Sequence, residues 1–459
     1  MARSRNKSTR KAKRKKAATP RRAASRRYRA KVRMYRHGLG DCFLIRLPRK
    51  GRGVYTIMID CGVILGTPDP AAIMTDVIRD IAAETGGKID LLVATHEHWD
   101  HLSGFIQAQA EFDKLDIGEV WFAWTEDPED ALAQKYRREH AKAFAALQLS
   151  MARMQLAGDV DGADQVGGLL EFFGAARGRS TKDAIAHIKN KVAKKRYCLP
   201  QDKPTEIPGT GVHIYVLGPP HDEKKLKKIN PSSRHKETYG LALEGLDLFL
   251  DDVNAAFDDD PMQRPFTSLY EIPLPLAAEM EFFRTNYWRP GNSDEDWRRI
   301  DTSWLDRASE LALQLDSLTN NTSLVLAIEL ADKDVLLFVA DAQVGNWLSW
   351  DELSWTVDGR KVTGPDLLSR TIFYKVGHHG SHNATLKEKG LELMAKLRVA
   401  MIPVDQKMAR KKRWNHMPLD ELVKALKERA SGGVFISDRT PPATRERLAD
   451  DKLYFEIML

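Results

Sequence analysis

Apolar positions in this chain fall in short runs that alternate or cluster between Gly and Pro, which predicts sheets with intervening helices rather than a helical bundle. Lys31 to Tyr35, Cys42 to Leu47 and Tyr55 to Asp60 read as the first three strands. A helix is predicted over about Pro70 to Glu84, followed by the apolar strand Leu91 to Ala94 and a further strand, Glu119 to Trp124. From Pro128 to about Lys195 the spacing turns helical, with repeated glycine interruptions. Val212 to Leu217 reads as a strand, and about His221 to Asp301 as an irregular insertion. A helix from about Trp304 to Ser317 leads to strands Ser323 to Leu330 and Val335 to Ala340. The last third predicts strands at Ile372 to Val376, Val399 to Val404, Val434 to Ser437 and Leu453 to Met458, with helices near Thr385 to Leu397 and Pro418 to Ala430. Two half-units, each of strands followed by helices, fit this order best.

Charge divides the chain. Residues 1–40 hold 17 Lys or Arg and no Asp or Glu; removing these from the chain's 71 leaves 54 basic against 64 acidic residues. The basic excess therefore resides in the arm, residues 1–30, where Arg14, Lys15, Lys16, Arg21, Arg22, Arg26 and Arg27 are the densest cations. Such a segment buries too little apolar surface to fold alone and attracts polyanions by counterion release. A domain over 31–459, with insertions at about 128–200 and 221–301, is the expected organisation.

Three cysteines, Cys42, Cys61 and Cys198, provide no disulfide framework and no CxxC knuckle, so any metal is expected on nitrogen and oxygen. No run approaches the roughly 20 apolar residues of a membrane span, and the basic N-terminus lacks a following apolar segment. No membrane association and a cytoplasmic location are the default expectations. No GxxxxGK[ST] phosphate loop occurs, which leaves triphosphate chemistry of that type unsupported.

Chemistry concentrates in THEHWDH, Thr95 to His101, at the end of an apolar strand. His96, His98, Asp100 and His101 place four potential metal ligands in six residues and gather 3 of the chain's 13 histidines. Imidazole and carboxylate suit zinc or, with more oxygen, manganese or iron.

This stretch resembles the HxHxDH signature of the metallo-β-lactamase superfamily. HGLGDC (His37 to Cys42), IMIDCG (Ile57 to Gly62), NNTSLVL (Asn320 to Leu326), VLLFVAD ending at Asp341, VGHHGSHNAT (Val376 to Thr385), NHMP at Asn415 and Ser437-Asp438 narrow the resemblance. They are similar to motifs in the hydrolase domain of ComEC-type DNA-uptake proteins and its soluble bacterial relatives. The resemblance implies an α/β fold, the metallo-β-lactamase αββα four-layer sandwich, here with helical and irregular insertions. It implies two divalent ions, Zn2+ or Mn2+, held by His96, His98, Asp100, His101, Asp341 as bridge, and His378. The third histidine of the first metal has no clear counterpart; His221 and Asn321 are candidates, as is an open position. His379 and His416 are candidates for a ligand or for a hydrogen bond to substrate, and Asp60 is expected to orient a ligand histidine. The family glycine before the bridging aspartate is Ala340 here. His140, His187 and His213, and the tryptophans between about 288 and 350, read as structural.

A hydrolase follows from the resemblance: two ions about 3.5 to 4 Å apart would supply hydroxide at neutral pH, with Asp100 or a histidine such as His379 carrying a proton. The expected substrate is a nucleic-acid phosphodiester, because of the motif set and the polycationic arm. Alternatives are a hydrolase of a small ester, lactone or nucleotide-derived signal, or a non-catalytic nucleic-acid-binding protein.

Overall fold

Each large sheet in the computed structural model is antiparallel along one half and parallel along the other, and the parallel halves carry the site. The structure describes residues 28–157, 160–174, 179–228, 272, 274–287, 306–412 and 414–459. The seven arm residues named above, Trp288, Trp297 and most of the insertion at 221–301 lie outside them.

The strands are, in order, β1 Lys31–Tyr35, β2 Phe43–Pro48, β3 Val54–Ile59, β4 Lys88–Ala94, β5 Asp116–Ala123, β6 Lys195–Cys198, β7 Thr205–Ile207 and β8 Val212–Gly218. They continue with β9 Val325–Glu329, β10 Val335–Phe338, β11 Ser354–Val357, β12 Arg360–Thr363, β13 Thr371–Lys375, β14 Val399–Ile402, β15 Gly433–Ile436, β16 Arg447–Asp450 and β17 Tyr454–Met458. The first sheet has eight strands ordered β16-β17-β1-β2-β3-β4-β5-β6; the second has seven, ordered β15-β14-β13-β10-β9-β8-β7, and β11-β12 form a hairpin. Pairing turns parallel at β3-β4-β5-β6 in one and at β10-β13-β14-β15 in the other.

Alternation decides which layer each side chain enters. In β2, Phe43 and Ile45 face an apolar cluster shared by both sheets while Leu44 faces a second cluster with helix Pro70–Thr85. In β9, Leu326 and Ile328 enter the shared cluster and Val325 and Ala327 the opposite one, with Leu315 of helix Asp306–Asn321. The Phe43 and Phe338 rings, one from each sheet, meet edge to face at 5.7 Å. Burying one such side chain contributes roughly 1.5–3 kcal/mol, so this shared interior fixes the sheets face to face. The protein is thus a mixed α/β structure with two large mixed sheets, and among the described residues no helix is long and apolar enough to cross a membrane.

The stretch expected to be helical from Pro128 contains helices Ala131–Ala157, Val160–Leu170 and Thr181–Lys191, and then closes with the unforeseen edge strand β6. Trp347 and Trp350 are buried, as packing residues are. One expectation fails: Thr385 to Leu397 holds only the single turn Leu391–Leu393. Gly390 breaks the run, since its backbone is non-helical (φ −140, ψ −100) and sits so close that a Cβ would lie 2.4 Å from the Leu386 carbonyl oxygen.

Candidate metal centre

The carboxyl ends of β3 and β4 in one sheet and of β10 and β13 in the other deliver the side chains of the site, the position where open parallel sheets present ligands. Asp60 follows β3, the THEHWDH loop follows β4, Asp341 follows β10, and His378-His379 follow β13. The loop is clamped by backbone: Asp41 N–H donates to the Asp100 carbonyl at 3.0 Å and Cys61 N–H to that of His101 at 2.8 Å. Glycine is required there, because a Cβ at Gly40 would lie 2.3 Å from the Gly62 oxygen and one at Gly62 2.5 Å from the Asp100 carbonyl carbon. Four residues at these strand ends, Asp60, Ala340, His378 and His379, are non-glycine with positive φ (53, 47, 42 and 51), a concentration of backbone strain typical of functional sites.

Two sets of donor atoms converge. His96 Nε2 and His98 Nδ1 are 3.1 Å apart. Beside them, His379 Nε2 lies 2.9 Å from Asp100 Oδ2 and 3.6 Å from Asp341 Oδ2, while His101 Nε2 lies 3.2 Å from Asp341 Oδ2 and 3.9 Å from Asp100 Oδ2. Bonds of about 2.0–2.2 Å in tetrahedral geometry would place ligand atoms roughly 3.4 Å apart, and these four separations straddle that value. His101 Nε2 and Asp100 Oδ1 are buried without a hydrogen-bond partner, as atoms that face a cation are. The residues therefore fit a divalent metal.

Asp41, His101, Asp341 and His379 also form a buried group whose ligand atoms lie within 4.8 Å of one another and which could hold a metal ion. Asp41, however, faces the outer Nδ1 atoms of His101 and His379, at 3.9 and 3.7 Å, and its Oδ2 bonds Lys375 Nζ at 2.6 Å. Asp100 faces the inner Nε2 atoms, so Asp100 completes the converging set and Asp41 stands behind it.

The outer nitrogens are anchored. Asp60 Oδ2 holds His101 Nδ1 at 2.8 Å and accepts from Thr95 Oγ1, which contacts His96 Nδ1 at 3.1 Å. The Pro403 carbonyl holds His379 Nδ1 at 2.6 Å. Such partners fix ring orientation and tautomer for metal binding. His98 Nε2 faces Asp316 Oδ1 at 3.7 Å, longer than a hydrogen bond, and its ring packs on Phe172 and Phe173. Asp341 Oδ1 is taken by Lys375 Nζ and the His378 N–H, each at 3.1 Å, which leaves Oδ2 to face the histidines.

Burial alone would lower the pKa of His101 and His379, but the surrounding carboxylates, Asp341 foremost, outweigh it; both are raised, His101 well above the ordinary histidine value. Burial would likewise raise Asp341, yet His101, Lys375 and His379 hold it well below the usual carboxylate range. Burial pushes His98 down to about 3 and His96 well below its ordinary value, keeping both neutral as ligands must be. Asp316, buried and near Asp100 and Asp341, is raised well above its ordinary value.

Several expected positions are corrected. The ring that joins Asp100 and Asp341 is that of His379, not His378; the strained turn directs consecutive side chains apart, and His378 bonds Ser381 Oγ at 2.8 Å and approaches Asn320 Nδ2 at 3.5 Å. His221 is exposed and bonded to Asp130 at 2.8 Å, against the Trp124 ring. Asn321 is committed to backbone: Nδ2 donates to the Leu226 and Lys228 carbonyls, and Oδ1 accepts from the Gln343 and Asn346 N–H groups. His416 is exposed and outside the converging set. Asp41, Lys375 and Asp316 were not anticipated. Lys375 had a signal, as the one charge in the apolar strand TIFYK; Asp316 had another, as a carboxylate one turn beyond buried Ala312.

No protein-family model matches the chain, and no curated protein matches it.

Proposed function

We propose that the chain is a metal-dependent hydrolase of the metallo-β-lactamase superfamily, akin to the hydrolase domain of ComEC-type DNA-uptake proteins, and that it cleaves nucleic-acid phosphodiesters. On this reading the two sheets and their flanking helices form an αββα sandwich. The observation that carries the proposal is the convergence of His101 and His379 Nε2 with Asp100 and Asp341 Oδ2, while Asp60 and the Pro403 carbonyl hold the outer nitrogens of those rings.

Asp100, His101, Asp341 and His379 would hold one ion, and His96 and His98 would contribute to a second. Divalent ions there would acidify a water and neutralise charge developing on the transferring phosphoryl group. The chain's own part is orientation: Asp60 and Thr95 fix His101 and His96, and Lys375 with the His378 N–H pins the second oxygen of Asp341. Burial of the whole set excludes bulk water from these contacts. With His379 Nε2 given to the ion and its Nδ1 held by the Pro403 carbonyl, the proton-carrying role falls to Asp100 through Oδ1, which has no hydrogen-bond partner. Nucleic acid is favoured over a small ester or lactone by the basic arm, which concentrates cations on an otherwise acidic chain.

The deciding experiment incubates protein reconstituted with Zn2+ or Mn2+ with labelled single- and double-stranded DNA, RNA, a small phosphodiester and a lactone. Cleavage of nucleic acid that is lost with Asp100→Ala is expected. Turnover of the lactone with no nucleic acid cut would replace this reading by that of a small-molecule hydrolase.

A further inference from the structure

A cleft of about 690 Å3 opens between helices Ala131–Ala157 and Val160–Leu170 and the end of helix Gln406–Lys411 with the residues that follow it. Its volume lies in the range of small-molecule sites. Trp414 is part of its wall, half-buried, with its ring stacked on Phe172 at 4.9 Å and 19° between planes. The Phe172 ring also packs on His98 at 5.2 Å. A ladder of three rings thus runs from a candidate metal ligand to the cleft. Met151 and Leu169 supply apolar wall, Gln148 and Gln165 supply side-chain amides, and Lys411 and Asp164 supply an exposed cation and an exposed carboxylate. The second lysine, Lys412, is ion-paired with Glu171.

We infer that this cleft binds a nucleobase of the substrate, with Trp414 as the stacking surface. The inference rests on the reading of the chain as a nucleic-acid hydrolase. A flat ring beside amides that both donate and accept matches a planar heterocycle with polar edges better than an aliphatic chain. Stacking uses the π-face that every base has, and flexible glutamines adapt to different edges, so the subsite tolerates any sequence. Lys411 is placed to meet a flanking phosphate. A base against Trp414 is separated from His98 by the Trp414 and Phe172 rings, so the stacked base belongs to a nucleotide flanking the phosphate that is cut.

The test compares metal-loaded wild type, Trp414→Ala, Trp414→Phe and Gln165→Ala on a single-stranded oligonucleotide and on the same oligonucleotide carrying abasic positions. Loss of one stacked base corresponds to roughly a 5- to 150-fold change. Wild type is expected to show a KM for the intact strand lower by a factor in that range, and Trp414→Ala is expected to lose this discrimination through KM more than through kcat. Trp414→Phe, which keeps an aromatic face, is expected to retain most of it, and Gln165→Ala to weaken it modestly. Unchanged discrimination in Trp414→Ala and Gln165→Ala would overturn the subsite while leaving the nuclease reading intact. If no variant, wild type included, cuts nucleic acid, that reading falls, and equilibrium dialysis with adenosine monophosphate against ribose 5-phosphate decides the cleft. Binding of the former alone, lost in Trp414→Ala, would support it; equal or absent binding would overturn it.

Discussion

His379 Nε2 lies 2.9 Å from Asp100 Oδ2, and this contact joins the end of β13 in one sheet to the loop after β4 in the other. Neighbouring His378 turns instead to Ser381 and Asn320. His379→Ala is therefore expected to lose one bound ion per chain after reconstitution, whereas His378→Ala retains metal, because it keeps the backbone N–H that holds Asp341 and loses only the side-chain contacts to Ser381 and Asn320. Elemental analysis of the two purified variants checks this. Loss of metal from the His378 variant alone would reverse the assignment.

Asp60 and Asp341 are both buried carboxylates near His101 but differ in which nitrogen they face: Nδ1 at 2.8 Å and Nε2 at 3.2 Å. Asp341→Asn should release metal and abolish turnover. Asp60→Asn should keep metal at saturating concentrations while losing roughly 10- to 100-fold in affinity or rate, the usual cost of removing a partner behind a ligand. Metal titrations of the two variants distinguish these outcomes, and matching curves would refute the distinction.

Ala340 occupies φ 47, left-handed backbone, immediately before Asp341. An L side chain there costs about 1–2 kcal/mol, which glycine avoids at some expense in unfolded-state entropy. Ala340→Gly is expected to stabilise the protein by about 1 kcal/mol, read as a higher denaturation midpoint. An unchanged or lower midpoint would mean that the Ala340 methyl contributes packing that offsets the strain.

These carboxylates and strands differ in how legible they were. Strand alternation gave β1 to β5 and β8 to β10 within a few residues because each has a core side and an opposite side. HxHxDH was legible because local spacing sets it on one loop. Which of two adjacent histidines points inward depends on backbone turns at φ 42 and 51, which residue type does not encode. Asn321 and His221 were drawn to the site by sequence position, but tertiary partners, the Lys228 carbonyl and Asp130, claim them. Asp41 reaches the site from the short connection between β1 and β2, inside HGLGDC, and Asp316 from helix Asp306–Asn321, contacts set by tertiary packing rather than by local spacing.

His140 lies in helix Ala131–Ala157, 8% exposed, with Nε2 lacking a hydrogen-bond partner. Burial, then Lys182, pushes it down to about 3; Tyr136, Glu139 and Phe173 also border it. A depressed histidine is neutral in the folded chain, so the unfolded chain binds more protons between the ordinary value of 6.5 and about 3. Stability from this group is complete above that window and falls as pH drops through it, by up to about 1.4 kcal/mol per pH unit. His140→Gln should therefore show a shallower loss of stability between neutral and mildly acidic pH than wild type. Urea unfolding at several pH values measures the difference, and parallel curves would show that His140 is not buried as a neutral ring.

The arm can be removed at a defined place, because Arg29 is already part of the folded body: its N–H donates to the Leu459 carbonyl at 2.8 Å and its guanidinium pairs with Asp332 and Asp334. Deleting residues 1–27 removes Arg14, Lys15, Lys16, Arg21, Arg22, Arg26 and Arg27 while leaving that contact. Each phosphate neutralised on duplex DNA contributes a log-log salt slope of about −0.9, so loss of several contacts should both weaken binding and flatten its salt dependence. Turnover of a small phosphodiester should persist, since the metal loop and the strands that position it lie wholly within the remaining chain. The decisive readout is the pair of slopes from salt titrations of full-length and truncated protein on one duplex. Equal slopes and equal affinities would leave the arm without a recruiting role and remove the charge argument for nucleic acid as substrate.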